Sequence, residues 1–222
     1  KKKKQLGTVA DKCARIGALA AIIAEQIGGD AEQATLAGEL SKADLNSEMV
    51  GEFDTMQGIM GFYLARLEGQ PEEVAQALYE QYLPRFAGDK LPQSKTGMAV
   101  SLADKIDTLV GIFGIGQKPS GTKDPYALRR ATLGVLRIII ENQLDLDLQH
   151  LLEKAGDLLE LRINRSQAAE AFEFIKGRYR AIYQEQGIAT PVILSVLAID
   201  DACRKPLDFD RRVKAVAAFF FF

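Results

Sequence analysis

Apolar residues recur every third or fourth position along almost all of this 222-residue chain, and no segment alternates with the two-residue period of a strand. That period restricts the chain to an all-α fold. Val9, Cys13, Ile16, Ala20, Ile23 and Ile27 make one face of a first helix, with Thr8 as its N-cap and Gly28-Gly29 as its stop. Asp30 caps a second helix. Asp54 starts another, through Met56, Ile59, Met60, Tyr63 and Leu67 to Gly69. Pro71-Glu72-Glu73 opens the next, with proline in the first turn, and it ends at Pro84. Residues 85–95 have loop composition. Helices are expected at about 96–113 and 125–142, the latter opened by Asp124-Pro125. The pattern weakens at Leu144 to Asp147 and resumes at about 147–160, 165–186, 191–201 and 208–217. The expected division is therefore a helical domain over residues 1–142 and a smaller helical extension over 143–222.

Composition removes several kinds of chemistry. The chain has one histidine, His150, so it lacks the imidazoles that a transition-metal hydrolase site uses. A serine–histidine or cysteine–histidine nucleophile would need that same residue, and no Gly-x-Ser-x-Gly elbow is present. No metal ligand set and no catalytic residue is assigned. Cys13 and Cys203 are far apart and make neither a disulfide framework nor a metal cluster, which fits a reducing, cytoplasmic setting. No apolar run approaches the ~20 residues of a membrane span, so no membrane partner is expected. Lys1 to Lys4 and Phe219 to Phe222 are homopolymeric and are set aside from fold reasoning, and the chain reads as part of something longer.

The net charge of −2, from 28 basic and 30 acidic residues, gives no global attraction to a polyanion, so any such contact must be local. The densest candidate is residues 101–130. Asp104, Lys105 and Asp107 stand at helical spacing, followed by Gly111, Gly114 and Gly116 and then a basic loop. The glycines follow a helix rather than a strand, unlike a dinucleotide-binding turn, so they read as a helix end. Lys118, Lys123, Arg129 and Arg130 then offer a surface for RNA phosphates, next to a helix N-terminus with its free N–H groups. Arg137 lies seven residues beyond Arg130, on the same helix face. Asp44 and Glu48 have i, i+4 spacing, which would put two carboxylates on one helix face. These residues leave three readings open: a carboxylate-only metal site, a polyanion-binding surface, or a solvated helical hairpin.

Leu102-Ala103-Asp104-Lys105-Ile106-Asp107-Thr108-Leu109, the Gly111–Gln117 run and Lys123-Asp124-Pro125-Tyr126-Ala127-Leu128-Arg129-Arg130 together resemble the bacterial glycyl-tRNA synthetase beta subunit. Lys42-Ala43-Asp44-Leu45, Glu48 to Phe53, Gln57 to Gly61 and Asp208 to Val216 fit the same family, in order, over nearly the whole chain. The resemblance implies a fragment of a heterotetrameric glycine–tRNA ligase. The alpha subunit would form the adenylate with ATP, and this beta fragment, with no cofactor of its own, would contact tRNA(Gly). It also implies a helical HD-like domain whose metal-binding histidines are missing. On that resemblance Ala43-Asp44 stands at the His-Asp pair and Asp104 at the later acid, and Asp44, Glu48, Asp104 and Lys105 line a vestigial pocket. A live HD-type phosphohydrolase and a purely structural scaffold are the competing expectations.

Overall fold

The computed structural model describes residues 6–159 and 165–220. Lys1 to Lys4, Phe221 and Phe222 lie outside them. Among the described residues the fold is helical throughout and contains no strand. The helices are α1 (Val9–Ile27), α2 (Ala31–Leu40), α3 (Glu48–Glu52), α4 (Ile59–Leu67), α5 (Glu72–Glu80), α6 (Lys95–Gly114), α7 (Leu128–Glu141), α8 (Leu148–Leu158), α9 (Arg165–Glu185), α10 (Thr190–Leu197) and α11 (Pro206–Phe219).

The axis of the fold is α6, which packs against α1, α2, α5, α7, α8 and α9. Its sequence explains this position. It is apolar on nearly every face, as a helix surrounded by others must be, and most of its residues are buried. α1 runs alongside it and also packs closely on α2. That second contact depends on glycine. A side chain at Gly38 would run into the backbone of Gly17, so only two glycines allow the helices to approach this closely.

The expected caps form at α1. Thr8 Oγ1 accepts from Asp11 N, and the Asp11 carboxylate accepts from Thr8 N at 2.7 Å, a reciprocal capping box. Gly28, with φ 74°, ends the helix. Two other starts differ from expectation. The helix placed from Asp54 is instead a 3₁₀ turn at Asp54–Met56, a break at Gly58 (φ 83°), and then α4. The break is held from outside the segment, because Gly58 N donates to the buried Asp44 carboxylate at 2.7 Å. The helix placed from Pro125 starts three residues later, at Leu128, after Ala127 at φ 52°.

Side chains from both sides of residue 143 share one hydrophobic cluster, running from Ile16 to Val213. Phe113 of α6 meets Phe174 of α9 with ring centroids 5.4 Å apart. Phe209 of α11 lies 4.4 Å from the Tyr179 ring and 5.6 Å from the Tyr183 ring, both on α9. The two buried phenols are satisfied, since Tyr179 donates to Cys203 O at 2.9 Å and Tyr183 to Asp210 at 3.0 Å.

Candidate functional site

The two acidic residues of α6 fall in its middle turns, where the helix is otherwise enclosed. Asp104 and Asp107 are one turn apart and face α1, whose Lys12 and Arg15 have the same spacing. Lys12 Nζ lies 3.0 Å from both carboxylates. Arg15 Nε adds a 2.7 Å ion pair to Asp107. From the turn after α2, Lys42 Nζ reaches the second oxygen of Asp104 at 2.7 Å, donates to Gln81 Oε1 at 2.8 Å, and sits 4.4 Å over the Tyr82 ring. Burial alone would raise the Asp104 carboxyl, but Lys42 and Lys12 outweigh it and hold it well below the usual carboxylate range. Burial likewise opposes the charge on Lys12, and the two aspartates more than compensate, so its ammonium is held above the ordinary lysine value. Both oxygens of Asp104 are thus spent on ammonium groups.

Lys105 points the other way. Its ammonium donates to Ser101 Oγ at 2.7 Å and to Leu83 O at 3.0 Å. Burial pushes it down to about 8, against the pull of Asp104.

Asp44 and Glu48 do not share a helix face. Asp44 is in a 3₁₀ turn, Ser47 is extended, and Glu48 begins α3 with an exposed side chain. The i, i+4 expectation fails because Ser47 leaves the helical region to cap α3 through Val50 N. Asp44 is buried and its Oδ1 has no hydrogen-bond partner. Nor do the lysines near it compensate it directly, because Lys42 is committed to Asp104. Among the described residues, no three His, Cys, Asp or Glu side chains gather as metal ligands. His150 is in the first turn of α8, where its N–H meets the capping carboxylate of Asp147.

Of the four basic residues proposed for phosphate contact, two are engaged within the chain. Lys118 pairs with Glu170 at 2.8 Å, with both side chains exposed, and Arg129 donates to Gly121 O. Lys123 exchanges backbone hydrogen bonds with Ser120, and its exposed side chain has no ion pair or hydrogen bond among the described residues. Arg130 is exposed and has no ion pair or hydrogen bond among the described residues. The free N–H groups expected at the next helix start are already taken, because Asp124 accepts from both Leu128 N and Arg129 N at 2.9 Å. Arg137 is turned to Glu141 and Asp89 O.

The structure brings Asp104, Lys105 and Arg130 to one cavity of about 400 Å³, shared with Gln57, Tyr82, Arg85 and Tyr126. Asp44 lines a different hollow with Gly61 and Leu78. The sequence reading missed Lys12, Arg15, Gln81 and Arg85. Lys12 and Arg15 carried a signal, since two cations one turn apart beside an apolar helical stripe imply acidic partners. Gln81 and Arg85 carried none.

A family model described as glycyl-tRNA synthetase beta subunit matches residues 3–198. Three proteins named glycine–tRNA ligase beta subunit match 97% of the chain. The one from Pseudomonas putida is 58% identical over 216 residues, that from Tolumonas auensis 56% over 217, and that from Chromohalobacter salexigens 54% over 220. The chain spans 31% of the length of each. A family match over residues 3–198 and identity at this level across 97% of the chain mean that the chain belongs to the glycyl-tRNA synthetase beta subunit family.

Proposed function

We propose that this segment is a tRNA-contacting, non-catalytic part of a heterotetrameric glycine–tRNA ligase in the cytoplasm. The alpha subunit forms the adenylate from glycine and ATP, and the beta subunit holds tRNA(Gly). Membership of the beta-subunit family carries the ligase part of this reading. Contact with tRNA is supported by the exposed Lys123 on its turn and by Arg130 in the first turn of α7, both without acidic partners among the described residues. Lys118 and Arg129 stand beside them and join the contact by exchanging their present partners, Glu170 and Gly121 O, for phosphate oxygens.

The pairing of Asp104 favours this reading over metal-dependent hydrolysis. A divalent ion there would have to displace two ammonium groups from a carboxylate that they already neutralise. In this reading Asp104 and Lys105 are what remains of an HD-like site, while Asp44 lines a separate hollow and Glu48 is exposed and lines neither.

The test is tRNA binding to the assembled enzyme across a salt series. Phosphate contacts release counterions, so log K falls with log salt in proportion to their number. Lys123→Ala should weaken binding and flatten the slope by about 1. An unchanged slope would leave the segment as a scaffold between subunits.

A further inference from the structure

The cavity between the end of α5, α6 and the start of α7 is lined by three cations, Arg85, Lys105 and Arg130, and one acid, Asp104. That acid is shared, because its two oxygens are already bound by Lys12 and Lys42 while it also attracts Lys105. The lining thus carries more cationic than acidic side chains. Its donors are arranged unequally. Lys105 has committed its protons to Ser101, Leu83 O and Gln81 O, so it contributes field rather than contacts. Arg85 spends one N–H on Gln57 O at 3.1 Å and lies over the Tyr79 and Tyr82 rings, and its other N–H groups have no hydrogen-bond acceptor among the described residues. Arg130 spends none among the described residues, and its planar fork is suited to two oxygens of one anion. The volume of about 400 Å³ admits a sugar as well as its phosphate.

We infer that this cavity is a metal-free binding site for a terminal phosphomonoester, held by the guanidinium groups of Arg130 and Arg85 in the field of Lys105. A terminal phosphate has the charge and the free oxygens to engage both forks, whereas a diester within an RNA strand presents only two unesterified oxygens. The chemistry fits two sources, the 5′-phosphate of an RNA and a free sugar phosphate. The inference goes beyond tRNA backbone contact, and Lys123, which tests that contact, does not line the cavity.

The experiment titrates the complete beta subunit with ribose 5-phosphate, with ribose as the control. Saturable binding of the phosphate alone is expected. Arg130→Ala should weaken it about tenfold or more, and Arg130→Lys should weaken it less, because the charge remains without the fork. Arg130 is exposed and has no ion pair or hydrogen bond among the described residues, so its replacement leaves the fold intact, which an unchanged thermal transition of the variant will verify. A second arm measures binding of tRNA with and without its 5′-phosphate to the assembled enzyme. If removing the phosphate weakens wild type but not Arg130→Ala, the occupant is the RNA terminus. If it changes neither while ribose 5-phosphate still binds, the occupant is a free sugar phosphate. Absence of both effects, or insensitivity of both to Arg130→Ala, overturns the inference. A flattened salt slope in Lys123→Ala beside that failure would leave the tRNA reading standing.

Discussion

Asp104 is the residue on which the centre of the molecule depends. It accepts from a lysine on α1 and from another beyond α2, so it ties three segments together through one carboxylate. Removing one partner of a buried pair leaves the others uncompensated, which costs about 3–5 kcal/mol. Asp104→Asn keeps the shape and removes the charge. It should lower the unfolding free energy by about 3 kcal/mol at pH 7, measured by urea titration. The pH dependence has a definite sign. The folded carboxyl is held below its ordinary value of 3.8, so the native state binds fewer protons than the unfolded one in acid. Its stabilising contribution is complete above 3.8 and is lost as pH falls through the folded value. Wild type should therefore lose stability below about pH 4, and Asp104→Asn should show a shallower loss there. Equal acid slopes in the two proteins would contradict this account. Lys105 acts in the opposite direction. Its value is depressed to about 8, so its burial costs stability below that pH, and the cost is relieved as pH rises toward the ordinary 10.5.

Among the elements, the turn between α6 and α7 decides where the basic residues stand. Asp124 bonds two successive N–H groups at the start of α7, while Ser120 and Lys123 close the loop on itself. The cap is thus an internal anion that already occupies the start of α7. Asp124→Ala should destabilise the protein by about 1 kcal/mol. Amide exchange should accelerate at Leu128 and Arg129 first, and unchanged protection at those two amides would refute the capping role. The sequence showed that a helix begins here, from Asp124-Pro125. The start at Leu128 was not legible, because Ala127 adopts φ 52°, a conformation that alanine composition gives no reason to expect. The same holds at Gly58, where a carboxylate fourteen residues away interrupts what periodicity reads as one helix.

At the scale of the whole molecule, one core joins the segments on either side of residue 143. Phe209 is fully buried between Tyr179 and Tyr183, which places α11 on α9, and α9 is tied to α6 through Phe174 and Phe113. Phe209→Ala should cost about 3–5 kcal/mol. If the core is continuous in energy as well as in space, amides of α6 and α11 should lose protection together. Selective loss in α11 would instead mark an independent extension beyond residue 143.

The sequence by itself determined the helical class, most helix positions, the absence of an imidazole ligand set and membership of the family. These depend on local period, on composition and on residue order, and none needs a partner from elsewhere in the chain. Tertiary structure alone decided which charges are spent. Asp104, Lys118 and Arg129 read as free groups along the chain, but each meets a partner 8 to 92 residues away that removes or redirects its charge. Arg130 and Lys105 are 25 residues apart in sequence and reach the same cavity only because α7 packs on α6. Electrostatic interaction depends on distance in space and on burial, and a one-dimensional pattern records neither.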